Sequence, residues 1–132
     1  MNALVHLTHD CNLRCPYCFT GDKFARAMTV ETARRMAEFV VDYAKQHEQR
    51  AVFSFFGGEP MMAWDVLKEV VLHAEAVAER EDVPAIFRMN TNGLLIKDEH
   101  LAFFEEHDLI FILSIDGNQA MHDAERVTAG GQ

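Results

Sequence analysis

Cys11, Cys15 and Cys18 are the only cysteines in the 132-residue chain, and they fall within the string Cys11-Asn12-Leu13-Arg14-Cys15-Pro16-Tyr17-Cys18. An odd, crowded set of thiols makes a poor disulfide framework. Gaps of three and two residues do, however, let one loop aim several sulfurs at one point. A four-iron, four-sulfur ([4Fe-4S]) cluster usually takes four cysteine ligands, so a loop with three leaves one iron without a protein ligand and open to chemistry. The competing reading is a structural zinc site of Cys3His type, with His9 or His6 as the fourth ligand. Zinc knuckles normally draw on two separated ligand pairs, whereas these thiols come from one loop.

The next group is Gly57-Gly58-Glu59-Pro60. Glycines let a backbone approach a ligand closely, and Glu59 offers a carboxylate to an ammonium group. The plainer alternative is a turn whose glutamate caps the following helix. Ser114 stands at the end of an apolar run, where a hydroxyl needs a hydrogen-bonding partner from a ligand or from the core. Thr91 and Asn92 are candidates for the same site, but Asn92-Gly93 is equally well explained as a turn. The seven histidines and seven methionines share no spacing and read as surface and core, with Met61 and Met62 set apart only by adjoining Glu59.

These residues need elements to carry them. Ala3 to Thr8 reads as a buried strand delivering the cysteine loop. Thr29 caps a helix with Glu31 in its first turn, and Val30, Ala33, Ala37, Val40, Val41 and Ala44 recur at helical spacing. Ala51 to Phe56 reads as a second strand. Leu67, Val70, Val71, Ala74 and Ala78 mark the buried face of a helix between about Trp64 and Arg80, ended by Pro84. A third strand is expected over Ala85 to Asn90, then a short helix over Asp98 to Glu106 burying Leu101 and Phe104. Leu109 to Leu113 is a continuous apolar run, the pattern of a parallel strand covered on both faces. A short helix is possible around Met121 to Glu125, before a Gly-rich end. Alternating strands and helices give an α/β fold with parallel strands and right-handed crossovers. Ligands bind at the carboxyl ends of such strands, which is where all four motifs fall.

The Cys-x3-Cys-x2-Cys spacing, with an aromatic residue before the third cysteine and Asn-Leu-Arg in the first gap, resembles the cluster loop of radical S-adenosylmethionine (radical SAM) enzymes. Thr8 to Phe19 looks like the subgroup that modifies peptides and proteins, including the anaerobic sulfatase-maturing, SPASM-type enzymes. The resemblance continues through Phe55 to Pro60, Thr91-Asn92-Gly93 and Leu113 to Gly117. It implies about half of a partial TIM-like barrel, a [4Fe-4S] cluster on Cys11, Cys15 and Cys18, and S-adenosylmethionine held by Tyr17, Gly57, Gly58, Glu59, Pro60, Asn92, Ser114 and Arg126. In that family Tyr17 has its counterpart near the adenine, and Glu59 meets the amino group. By the same resemblance Ser114 meets the ribose or carboxylate, and Arg126 the carboxylate. A surface ion pair is the commoner fate of an arginine. The implied reaction is reductive cleavage to a 5′-deoxyadenosyl radical, fed by a flavodoxin- or ferredoxin-type electron donor and directed at a peptide or protein side chain.

Composition bounds the rest. Twelve basic against twenty-one acidic residues, with a formal charge of −9 and no basic run, argue against nucleic-acid binding. No apolar run approaches the roughly 18 residues of a membrane span, and free thiols suit a reducing cytoplasm. Residues 1–132 fit the N-terminal portion of a radical SAM core. A whole eight-unit barrel needs roughly 250 residues. The expectation is therefore a fragment or a split component that is weak or inactive alone, its remaining strands supplied elsewhere in its chain or by a partner. The alternatives are a non-catalytic iron–sulfur or S-adenosylmethionine-binding module, and the zinc module.

Overall fold

Short apolar runs alternating with longer amphipathic stretches produce the expected α/β fold. The computed structural model describes residues 1–131. In chain order it runs β1 (Asn2–Thr8), α1 (Val30–Gln46), β2 (Ala51–Gly57), a 3-10 turn (Pro60–Ala63), α2 (Trp64–Glu81), β3 (Ala85–Thr91), α3 (Asp98–Glu106), β4 (Ile110–Leu113) and α4 (Gln119–Glu125). The strands form one sheet in the order β1-β2-β3-β4, every pair parallel. This is the arrangement of a (βα) barrel opened out.

Period-two burial in the strands and period-3.6 burial in the helices meet on one face of the sheet. Val5, Phe55, Met89 and Phe111 are register neighbours across the four strands and pack beneath the helices. Helix α1 contributes Ala33, Ala37, Val40, Val41 and Ala44, and α2 contributes Leu67, Val70, Val71, Ala74 and Ala78, as their spacing predicts. Thr29 caps α1, its hydroxyl accepting from the Thr32 amide at 3.2 Å. Such a cap contributes about 1 kcal/mol.

Three expectations need correction. The run ending in β4 is not covered on both faces: Ile110 and Ile112 are 56% and 51% exposed, because the helices lie on one face only and β4 is an edge strand. Leu101 is exposed on α3, where Phe104 and His100 turn inward instead. Val30 is also exposed, since it opens α1 before the helix reaches the sheet. No described helix is long and apolar enough to cross a membrane.

Candidate functional site

The cysteine loop is anchored where β1 ends. The Thr8 hydroxyl accepts from the Asp10 amide at 3.0 Å, and Asp10 Oδ1 accepts from the Cys11 amide at 2.8 Å. The strand end of β2 runs alongside: the Gly58 amide donates to Thr8 O at 3.0 Å and the Glu59 amide to Asp10 O at 2.8 Å. A Cβ on Gly58 would lie 1.9 Å from Asp10 O, and one on Gly57, at φ +124°, would lie 2.6 Å from Thr8 O. The glycines thus admit the chain's own backbone, not only a ligand, and so lock the cysteine loop to the sheet.

Beyond this junction is a cavity of about 280 Å³, lined by Cys11, Cys15, Cys18, Tyr17, Gly57, Gly58, Glu59, Asn92, Ser114 and Arg126. All of the expected site residues are gathered there except Pro60, which is buried at the start of the 3-10 turn and stiffens the exit from Glu59. Leu13, Phe19, Thr20, Phe56, Asn90 and Thr91 complete the lining. Of these, Thr91 is where the sequence reading puts it, beside Asn92, while Phe56 and Asn90 could have been found from their places near the ends of β2 and β3. Phe19 and Thr20 follow the cysteine motif and carry no signal of their own.

All three thiols are free and half-buried. Burial raises the pKa of Cys11 and of Cys15. At Cys18 burial acts in the same direction but is outweighed by hydrogen bonds from Lys23 and Thr20, which bring the thiol down to about 7. Among the described residues no three His, Cys, Asp or Glu side chains are arranged to hold a single metal ion. His6 and His9, the proposed fourth zinc ligands, line a separate depression with Arg26 and Thr29, and His9 stacks on Phe24 with ring centroids 4.5 Å apart. The three thiols lining the cavity come from one loop, and they suit a group that takes three thiolates from one loop.

Glu59 is 1% exposed and does more than line the cavity. Its Oε1 accepts from the Met61 amide at 3.0 Å and the Thr91 hydroxyl at 2.8 Å, while Oε2 accepts from the Asn92 amide at 2.8 Å. The helix-capping reading is therefore correct as far as it goes. A carboxylate has about four lone-pair sites, so one remains, on Oε2, for an ammonium donor. Asn92 is also shared: its Oδ1 makes the turn by accepting from the Leu94 amide at 3.0 Å, and its Nδ2 donates to Asn12 Oδ1 at 2.8 Å, tying β3 to the cysteine loop. Ser114 donates its amide to Thr91 O at 3.0 Å. It is half-buried, and no described residue hydrogen-bonds its hydroxyl.

Arg126 lines the cavity but is held by Asp116, with Nε to Oδ2 at 2.9 Å and Nη2 to Oδ1 at 3.2 Å. The Tyr17 hydroxyl donates to the same carboxylate, and the guanidinium lies 5.8 Å from the Tyr17 ring centroid. That hydrogen bond raises the Tyr17 pKa to about 12. It also lowers the Asp116 pKa, with Arg126 acting in the same direction. Past α4 the chain returns to the cysteine loop: Arg14 N donates to Val127 O at 2.7 Å, Ala129 N donates to Asn12 O at 2.9 Å, and Leu13 bridges Thr128. Nothing in the Gly-rich end signals that pairing.

The profile of the Radical SAM superfamily matches residues 5–126. A cysteine-type anaerobic sulfatase-maturating enzyme of Clostridium novyi (strain NT) is 28% identical over 125 residues, which are 91% of this chain and 33% of that protein. A serine-type anaerobic sulfatase-maturating enzyme of Klebsiella aerogenes is 31% identical over 125 residues, 92% of this chain and 31% of that one. The solved structure of native anSMEcpe with bound AdoMet and Cp18Cys peptide superposes with a TM-score of 0.85 at 26% identity, over 98% of this chain and 35% of that chain. The chain thus spans about a third of the length of these relatives. With a parallel sheet, a three-thiol loop at its carboxyl edge and a matching profile over nearly the whole length, the chain belongs to the radical SAM superfamily.

Proposed function

We propose that residues 1–132 form the cofactor-holding portion of a radical SAM core domain whose product is a modified peptide or protein side chain. The observation that carries this reading is the convergence on one cavity of three free thiols from the loop after β1, the ends of β2 and β3, and Ser114 just beyond β4. When bound, a [4Fe-4S] cluster with S-adenosylmethionine supplies one-electron cleavage of the sulfonium and hydrogen abstraction from substrate. Cys11, Cys15 and Cys18 hold the cluster. The Ser114 hydroxyl and the remaining lone pair of Glu59 are the polar groups offered to S-adenosylmethionine. Tyr17, Phe19 and Phe56 bring aromatic surface that excludes water, and Arg126, held by Asp116, places positive charge at the rim.

The sulfatase-maturating relatives, and the peptide in the solved anSMEcpe complex, support a peptide or protein substrate. A one-electron carrier of flavodoxin or ferredoxin type is the electron source, and free thiols favour the cytoplasm. The test is anaerobic reconstitution with iron and sulfide, followed by S-adenosylmethionine and dithionite. About four irons per chain are expected, lost in each Cys→Ala variant, together with release of 5′-deoxyadenosine. Cluster and cofactor binding without cleavage would mark a non-catalytic module. Stoichiometric zinc with no iron uptake would overturn the proposal.

A further inference from the structure

Resting on that reading, we infer that Lys23 is a positioning residue that sets the reduction potential of the cluster through a hydrogen bond to the Cys18 sulfur. The Lys23 ammonium has three donors, and the structure uses all of them: Nζ lies 3.0 Å from Cys18 Sγ and 3.1 Å from Gly21 O, and it also donates to Thr20 Oγ1. A surface lysine waves in solvent. This one is half-buried and closes the turn that follows the third cysteine.

Thr20 Oγ1 lies 3.2 Å from the same sulfur. A ligating thiolate carries no proton, so the Thr20 hydroxyl must be the donor, and the ammonium behind it polarises that bond. The other thiols are treated differently. Cys11 Sγ accepts from the Leu13 amide at 3.4 Å, and no described side chain donates to Cys15. Two side-chain donors to a ligand sulfur, one of them an ammonium, are therefore concentrated on Cys18. Lys23 borders the outer side of the loop with Arg14 and Gly21, away from the cavity that would take S-adenosylmethionine.

Reduction adds one negative charge to the cluster, and a cation with donors on a ligand sulfur stabilises the reduced form more than the oxidised one. Lys23 therefore raises the potential. The experiment is anaerobic potentiometric titration of the reconstituted chain, followed by electron paramagnetic resonance, for wild type, Lys23→Arg, Lys23→Gln, Lys23→Met and Thr20→Val. Lys23→Met should cut the reduced-to-oxidised ratio at fixed potential about tenfold, a shift of about 59 mV for one electron, with Lys23→Arg near wild type and Lys23→Gln between. Thr20→Val should shift in the same direction by less. Full cluster content with an unchanged potential in Lys23→Met and Lys23→Gln overturns the inference, as does loss of the cluster from all three Lys23 variants, which makes Lys23 an assembly group. Failure of wild type to take up iron overturns the proposed function itself.

Discussion

Glu59 shows how one carboxylate can serve both the fold and a ligand. Its buried oxygens receive the Met61 amide, the Thr91 hydroxyl and the Asn92 amide, so it holds the 3-10 turn and the end of β3 in place before any ligand arrives. Glu59→Ala strands three donors at about 1 kcal/mol or more each and should lower unfolding free energy by at least ~3 kcal/mol; Glu59→Gln, which sets an amide against the Asn92 N–H, should lose about 1–3 kcal/mol. Urea unfolding measures both, and an unchanged midpoint would reduce Glu59 to a ligand contact alone. Weakened S-adenosylmethionine binding in Glu59→Ala has meaning only beside that measurement. The chemistry-bearing residue types were legible in the sequence because cysteine spacing and Gly-Gly-Glu-Pro are local patterns. Their double duties were not, since the carbonyl of Asp10 that forbids a side chain on Gly58 is 48 residues away in the chain.

At the scale of elements, periodicity gave α1, α2 and the strands because one face of each is buried against the same layer. It misled at β4, whose apolar run has the pattern of a strand covered on both faces, while the helices that pack on the sheet, α1, α2 and α3, lie on one side. It was silent about Val127 to Ala129, which close the cysteine loop by backbone pairing that no side-chain pattern encodes. A second clasp on that loop is testable by pH. The Tyr17 proton is held by Asp116, so this contact is fully present below the ordinary tyrosine value near ~10 and lost as pH rises through about 12. Asp116 is held below its ordinary carboxylate value, so its share is present above ~4 and lost as pH falls through the lowered value. In a Tyr43→Phe chain, where Tyr17 is the sole tyrosine, tyrosinate absorbance should titrate near about 12. Adding Asp116→Ala should bring it back toward ~10. Equal midpoints in the two chains would show that the clasp does not form in solution.

For the whole molecule the decisive fact is a sheet with helices on one face and open strands at its edge. Ile110 and Ile112 of β4 project from the face opposite the helices, Leu113 and Ile115 are exposed beside them, and among the described residues β4 pairs only with β3. An unpaired edge with adjoining apolar surface is a template for another strand. A second copy of the chain is the nearest partner at high concentration. We therefore expect concentration-dependent self-association of the isolated chain, seen as a rise in sedimentation coefficient. Ile110→Lys with Ile112→Lys should suppress it, because charge on an edge strand opposes pairing. Neither isoleucine lines the cysteine cavity, so iron uptake on reconstitution should be unchanged. Association that persists in the double variant would place the contact elsewhere, with exposed Leu4 and Phe39 the next surfaces to alter. Loss of iron uptake in a folded double variant would instead show that β4 supports the cluster loop through Ser114 and Thr91, the backbone bond by which the edge strand meets the site.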